Sequence, residues 1–432
     1  MISSGLKSLV KRPKMRGFYK LYMKRRELSG EYESTWQEIQ SQYIKSLGSV
    51  SYGVSDVRAG LYKYSGLKLE LANLDSYFGA TTDNRSFFSG KLSIYRTLLR
   101  LDAGYLDDTD IQIPTSSTIF LGMIGEGFEW TDAGTVEVDA DHISKIFDEF
   151  PASQVSGLGT AQSASDIVAK VRDYTDTRGN YIFKKFVPLW NIETTTNSYD
   201  IATTTALQGK SVWDMFRDLA VAENKYIFVD RNGQFNFRSQ ATTSTVIWHL
   251  SGANDTDNTY GKNIVGQINR DERIQDVYNR VRIQYADGDT TTSFLTKEET
   301  WYWGDSSSSF IYGTRTYTYK NLWLSAATAS TVADTIYNRY KDPITIVQIR
   351  TKYLPEIEID DRVTVTHKNG VMLGQSLYGS ALYSNSTPAA DFYGHYGTYN
   401  SGNFEFNAAN YFVRSVNHNL KDYTTLLSME AE

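Results

Sequence analysis

The side chains that most often carry chemistry are sparse in this sequence. Its 432 residues include five histidines and no cysteine. His142, His249, His367, His395 and His418 show no H-x-x-x-H or H-E-x-x-H spacing, so each reads as a hydrogen-bonded surface or core histidine. Without cysteine, thiolate metal sites, disulfides and thiol nucleophiles are excluded. Carboxylates cluster at Asp107, Asp108 and Asp110, and again at Glu356, Glu358, Asp360 and Asp361. A glycosidase needs two carboxyls facing each other across a sugar. Here Glu356, Glu358 and Asp360 would share one face of a strand and read as solvent-exposed. Residues 255–261 have oxygen ligands at calcium-like spacing. Tyr260 stands where the tight turn needs glycine, and the closing Glu is missing, so an EF-hand is excluded. Gly122, Gly125 and Gly127 come in the wrong order for a dinucleotide loop, and no phosphate loop or nucleophile elbow occurs. The expectation is no catalytic residue, no cofactor and no metal. Residues 376–404 hold Tyr378, Tyr383, Tyr393, Tyr396 and Tyr399 among Gly, Ser, Ala and Asn. Such rings stack on sugars or pack against another subunit. Packing is the preferred reading, with Tyr393 and Tyr396 as contacts.

Charge is distributed unevenly. The first 26 residues carry nine basic groups and no acid, and the rest of the chain has 35 basic against 50 acidic residues. This reads as a basic arm ahead of an acidic body. No apolar run follows the arm, so it is not a secretory signal, and no stretch approaches the roughly 20 apolar residues of a spanning helix. Phe18, Tyr19 and Tyr22 interleave with the charges, which suits docking on an acidic partner or on nucleic acid. Tyr19, Lys20, Lys24 and Arg25 are the expected arm contacts.

The elements that would position these groups are mostly strands. Spacing of Tyr32, Trp36, Ile39, Tyr43 and Ile44 predicts a helix over about 27–48. Strands are expected at Leu67–Leu71, Lys91–Leu101, Thr118–Met123 and Thr135–Val138, and a short helix at Ile143–Phe150. After a loop at 152–165, a helix is expected from Ala164 to Tyr174. Ser211 caps a further helix, with Asp214 three residues on as a capping-box partner. Tyr226–Val229 and Gln234–Phe237 form a hairpin through Asp230-Arg231-Asn232-Gly233. Another strand holds Val281, Ile283 and Tyr285. Ser325 caps a helix to Tyr340, and strands follow at Ile344–Lys352, Arg362–His367, Val371–Leu373, Tyr411–Asn417 and Thr424–Met429. The expected fold is mainly β with α+β insertions. Its expected divisions are a basic arm (1–30), a β-barrel domain with flanking helices (31–151), an α+β domain (152–255) and a second β-barrel domain (256–432) carrying the tyrosine-rich loop.

Three stretches give the chain a resemblance to the baseplate or tail-tip hub proteins of tailed bacteriophages. They are residues 211–239, with Phe228, Asp230, Gly233 and Phe237 in the hairpin, residues 277–285, and residues 356–367 with 411–431. Phe120 with Gly122-Met123-Ile124, and Val138-Asp139-Ala140-Asp141, add a fainter match. The sequence departs from the family by placing Asp360 where glycine is usual. The resemblance implies two tube-like β-barrel domains and a trimer whose six barrels form a pseudo-six-fold ring. That ring would join the tail tube to a central spike or fibre, pass the tape-measure protein and DNA, and reside in the virion after assembly in the host cytoplasm. Its partners would be its own copies, the distal tail-tube ring, the tape measure and the spike, with no stable membrane insertion. A glycan-binding or glycan-cleaving tail protein is the alternative, motivated by the tyrosine-rich loop and the acidic segment.

Overall fold

The computed structural model describes the chain outside residues 1–15, 55–59, 107–116, 132–133, 202–206, 241–244, 253–262, 273, 288–290, 299–307, 322, 369–404 and 432. In chain order come β1 (Arg16–Lys24), β2 (Gln37–Ile39), β3 (Ile44–Leu47), β4 (Val50–Val54), β5 (Gly60–Tyr64) and β6 (Leu67–Ala72). Then follow β7 (Leu98–Leu106), β8 (Ser117–Trp130), β9 (Thr135–His142), α1 (Lys145–Glu149), β10 (Gln162–Ser163) and α2 (Ala164–Arg172). The middle holds β11 (Leu189–Ile192), β12 (Ser198–Tyr199), α3 (Val212–Glu223), β13 (Lys225–Val229), β14 (Gln234–Ser239) and β15 (Trp248–Ser251). Next are β16 (Ile264–Glu272), β17 (Arg280–Asp287), β18 (Thr291–Glu298), α4 (Ser308–Tyr312), β19 (Thr316–Lys320) and α5 (Ala326–Tyr340). The last are β20 (Thr345–Lys352), β21 (Arg362–Lys368), β22 (Glu405–Asn419) and β23 (Thr424–Ala431).

The chain is mainly β. One sheet has seven strands in the order β2-β1-β7-β8-β9-β6-β3. A larger one runs β11-β14-β13-β5-β4-β22-β23-β20-β16, with β21 beside β22 and β15 beside β21. A third, β18-β17-β19, packs against α5. The expected closed barrels are not formed. Among the described residues, no ladder joins the end strands β2 and β3, or β11 and β16. Alternating burial identifies a half-buried strand but carries no information on whether its sheet closes.

Strand pairing also crosses the divisions read from the sequence. β4 pairs with β22, and β5 with β13. Val281, Ile283 and Ile336 share a core with Ile167, Phe216 and Phe147, whereas β20–β23 share a core with the seven-stranded sheet. Cores assemble by burial, whatever the separation along the chain.

Three local expectations need correction. Residues 91–97, expected as the start of a strand, are turns and bends ahead of β7. Residues 27–48 form β2, a single 3-10 turn at Ser41–Tyr43 and β3, with no α-helix. Ile39 belongs to the first core and Trp36 packs against the second, so these apolar residues serve two cores and no single helical stripe exists. The second half of the basic arm is also not a free arm. Arg16–Lys24 is β1, in register with β7 from Arg16↔Leu106 to Lys24↔Leu98. Leu21 and Met23 are fully buried and alternate with Lys20, Tyr22 and Lys24, a strand pattern hidden among charges.

Candidate functional site

The site begins with α3. Ser211 Oγ accepts from the Asp214 N–H, the Asp214 carboxylate accepts from the Ser211 N–H, and Asn224 closes the helix in left-handed conformation. The left-handed Asn224 turns the chain out of α3 and into β13. β13 is buried throughout and returns as β14 through residues 230–233. Asp230 Oδ1 accepts from the N–H groups of Asn232 and Gln234, both at 2.9 Å, and Gly233 takes φ +81°. The turn thereby points Arg231 at residues 355–361.

Arg231 clamps that segment. Its guanidinium donates to Pro355 O (2.5 Å) and Glu356 O (3.0 Å), and its Nε lies 2.6 Å from Glu358 Oε1. The segment is a turn, held by the Glu358 N–H donating to Asp361 Oδ2 at 2.7 Å. Asp360 has φ +68°, the left-handed region. This is the position where the hub-family pattern has glycine. Asp360 tolerates the geometry because its carboxylate is held on both sides. Arg414 Nη1 lies 2.5 Å from Oδ1, and Arg238 Nη1 lies 2.9 Å from Oδ2 as an ion contact. Arg414 Nε also donates to Glu430 Oε2 at 2.7 Å. The Arg414 and Asp360 side chains are each 3% exposed. β14, the 355–361 turn, β22 and β23 therefore meet at one buried ionic joint.

Burial sets the electrostatics here. It pushes the Asp361 carboxyl up to about 7, with the Glu358 charge adding to the effect. It raises Glu358 and Asp230 too. Burial opposes the charge on Arg231, but the surrounding carboxylates outweigh it and hold the guanidinium above its ordinary range. Behind the turn, His418 Nε2 lies 3.3 Å from the Tyr52 hydroxyl and Nδ1 lies 3.1 Å from Thr425 Oγ1. His142 stacks on Tyr64 at 3.6 Å between ring centroids. Burial drives both imidazoles down to about 3, so both are neutral. A cleft of about 180 Å³ opens between Tyr52, Tyr64, Phe228, Arg231, Arg238 and Glu358. Its charged groups are spent on one another, so the arrangement holds elements together.

The expected site residues are dispersed. Glu356, Glu358 and Asp360 do not share a solvent-facing strand face: they lie in a turn, and Asp360 is buried. The error came from placing three acids on a strand, when Arg231, the partner of Glu358, and Arg238 and Arg414, the partners of Asp360, are distant in sequence. The one available signal was an arginine inside the apolar run Tyr411-Phe412-Val413-Arg414, at a position in line for burial. Tyr19 packs against the first core, and Lys20 Nζ lies 3.4 Å from a Glu38 carboxylate oxygen. Lys24 is half-buried. Arg25 is not a free contact. It pairs with Glu33 at 2.5 Å and stacks on Phe87 at 4.2 Å. Burial would raise Glu33, but Arg25 and Lys91 bring it down to about 2. Tyr393, Tyr396 and the whole loop 376–404 lie outside the described residues, as do His395, Asp107, Asp108, Asp110, Val371–Leu373 and residues 255–261. Among the described residues no three His, Asp or Glu side chains are grouped to hold a metal ion. No helix among them is long and apolar enough to cross a membrane.

No protein-family model matches the chain, and no curated protein matches its sequence. Solved structures do match. The tail protein from Neisseria meningitidis MC58 aligns over 96% of this chain and 97% of its own, at 9% identity and a TM-score of 0.51. The 43 kDa tail protein of prophage MuSo2 from Shewanella oneidensis aligns over 95% and 98%, at 11% identity and a TM-score of 0.47. Prophage tail protein gp18 from Listeria monocytogenes EGD-e aligns over 96% and 94%, at 9% identity and a TM-score of 0.46. At these identities the likeness is one of fold, and this chain shares its fold, over almost its whole length, with the Neisseria tail protein.

Proposed function

We propose that this chain is a structural subunit of a phage tail tip or baseplate. In this reading it is the hub: three copies close a pseudo-six-fold ring between the tail tube and a central spike or fibre. The tape-measure protein and then DNA pass through the lumen. The observation that carries the reading is the alignment over 96% of the chain with a tail protein, at a TM-score of 0.51. The open sheets support it, because an end strand such as β16, which pairs with β20 alone among the described residues, is of the kind that pairs between subunits. So does the ionic joint, which braces distant parts of the chain. Negative-stain images of the purified protein are expected to show rings with a central hole. Featureless single particles under all conditions would count against the hub.

Glycan cleavage remains the second reading because of one observation: Asp361 is held at about 7 in a segment bordering a cleft. Incubation with peptidoglycan and an assay for reducing ends decides it. Release of ends that is abolished by Asp361→Asn or Glu356→Gln would establish the enzyme and displace the scaffold.

A further inference from the structure

The outer face of the seven-stranded sheet carries an arrangement that isolated folding disfavours. Glu129 on β8 lies directly opposite Glu137 on β9, and Glu137 lies directly opposite Glu70 on β6. Like charges in register across strands are destabilising. Along β9, Glu137 and Asp139 are exposed on the same face and Asp141 is half-buried beside them. Asp139 and Asp141 lean over β8 into the space left by Gly127 and Gly125, where a Cβ would lie 2.8 Å and 2.5 Å from their Oδ2 atoms. Lys68 reaches Asp139 at 3.7 Å and Lys45 reaches Glu70 at 3.9 Å. Among the described residues, no ion pair offsets Glu129 or Glu137. The face is acidic, and among the described residues Glu129, Glu137 and Asp139 are exposed on it.

The chain contains a segment of matching chemistry. Residues 1–15 carry Lys7, Lys11, Arg12 and Lys14 and no acid. We infer that this face receives residues 1–15 of a second copy of the chain. For the Glu129–Glu137 row, reach along the sheet favours a neighbour over the chain's own segment; Asp141, opposite Met123, is nearer. β1 starts at Arg16 opposite Leu106, at the end of the sheet where β8 begins, since Ser117 is opposite Ala103. Glu129 lies twelve residues further along β8, or about 40 Å along the strand. Lys7 is nine residues ahead of Arg16, a span of about 30 Å fully extended. A neighbour's segment meets no such limit and cancels the rows of like charge. The inference needs self-association but not a role in a tail.

The test uses the full chain, grown separately with ¹⁴N and ¹⁵N, mixed until native mass spectrometry shows oligomers holding both labels, and treated with a zero-length carbodiimide cross-linker. Mixed-isotope peptides joining Lys7, Lys11 or Lys14 to Glu129, Glu137, Asp139 or Asp141 are expected. Their yield should fall about tenfold from low to high salt, because exposed charges are screened. In Glu129→Gln/Glu137→Gln, links to Asp139 and Asp141 should fall as well, although those acids are intact. Same-isotope links only would place the segment on its own chain and overturn the inference. So would the absence of these links, or links unaffected by the variant. If such negatives occur in a protein whose mass is that of a trimer, the docking fails while the ring stands.

Discussion

Removing Arg414 tests the ionic joint where it is most buried. Arg414→Ala leaves Asp360, itself 3% exposed, with Arg238 as its one remaining ion partner among the described residues, and leaves Glu430 without its 2.7 Å donor. Breaking a buried pair from one side costs about 3–5 kcal/mol, because the remaining charge is stranded. The reverse change, Asp360→Gly, should cost less. It removes the pair but also relieves the left-handed backbone at φ +68°, worth about 1–2 kcal/mol. Urea unfolding followed by tryptophan fluorescence gives the free energies of both variants and of the double variant. The double variant should fall short of the summed single losses by about 1–3 kcal/mol, since each charge's penalty vanishes with its partner. An Arg414→Ala loss below about 1 kcal/mol, or additivity within about 0.5 kcal/mol, would refute the joint.

The remaining predictions address other parts of the fold. In Gly17→Ala the new Cβ would land on the Tyr423 ring, so a loss of about 1–3 kcal/mol is expected; an unchanged urea midpoint would mean that β1 is not seated against Tyr423. Asp361 is held at about 7 in the fold against an ordinary value near 4 when unfolded, so its contribution favours the fold in acid and is lost as pH rises toward 7. Asp361→Asn should therefore gain on the wild type by about 2 kcal/mol between pH 5 and pH 7, and a flat difference would contradict this. His142 is held at about 3, below its unfolded value, so its contribution is present above pH 6.5 and is lost on acidification. His142→Phe should flatten the stability curve by about 1.4 kcal/mol per pH unit between pH 6 and pH 4, measured by the same titration. Ser211→Ala removes the capping box of α3 and should cost about 1 kcal/mol; circular dichroism melts would reveal a null effect.

Elements with local signals were legible in the sequence. The Ser211 cap, the Asp230–Gly233 turn, the Ser325-capped helix and the strands at 281–285, 345–352 and 411–429 all stand where residue types place them. Their signals are short-range: a capping side chain, a glycine with positive φ, an alternation of two. Non-local features were not legible. Nothing in residues 27–48 announces that Trp36 and Ile39 enter different cores, and helical spacing was the simpler pattern. Nothing near Asp360 announces Arg238 or Arg414, so acids that balance buried arginines read as solvated. Asp360 itself marked the spot, as the residue standing where glycine was expected. The backbone there does take the conformation that glycine favours.

The central claim is that this chain builds a self-assembled ring, and its mass in solution tests that most directly. Light scattering on the purified protein over a range of concentrations should give a species near three times 48.9 kDa. A single 48.9 kDa species at every concentration would contradict it.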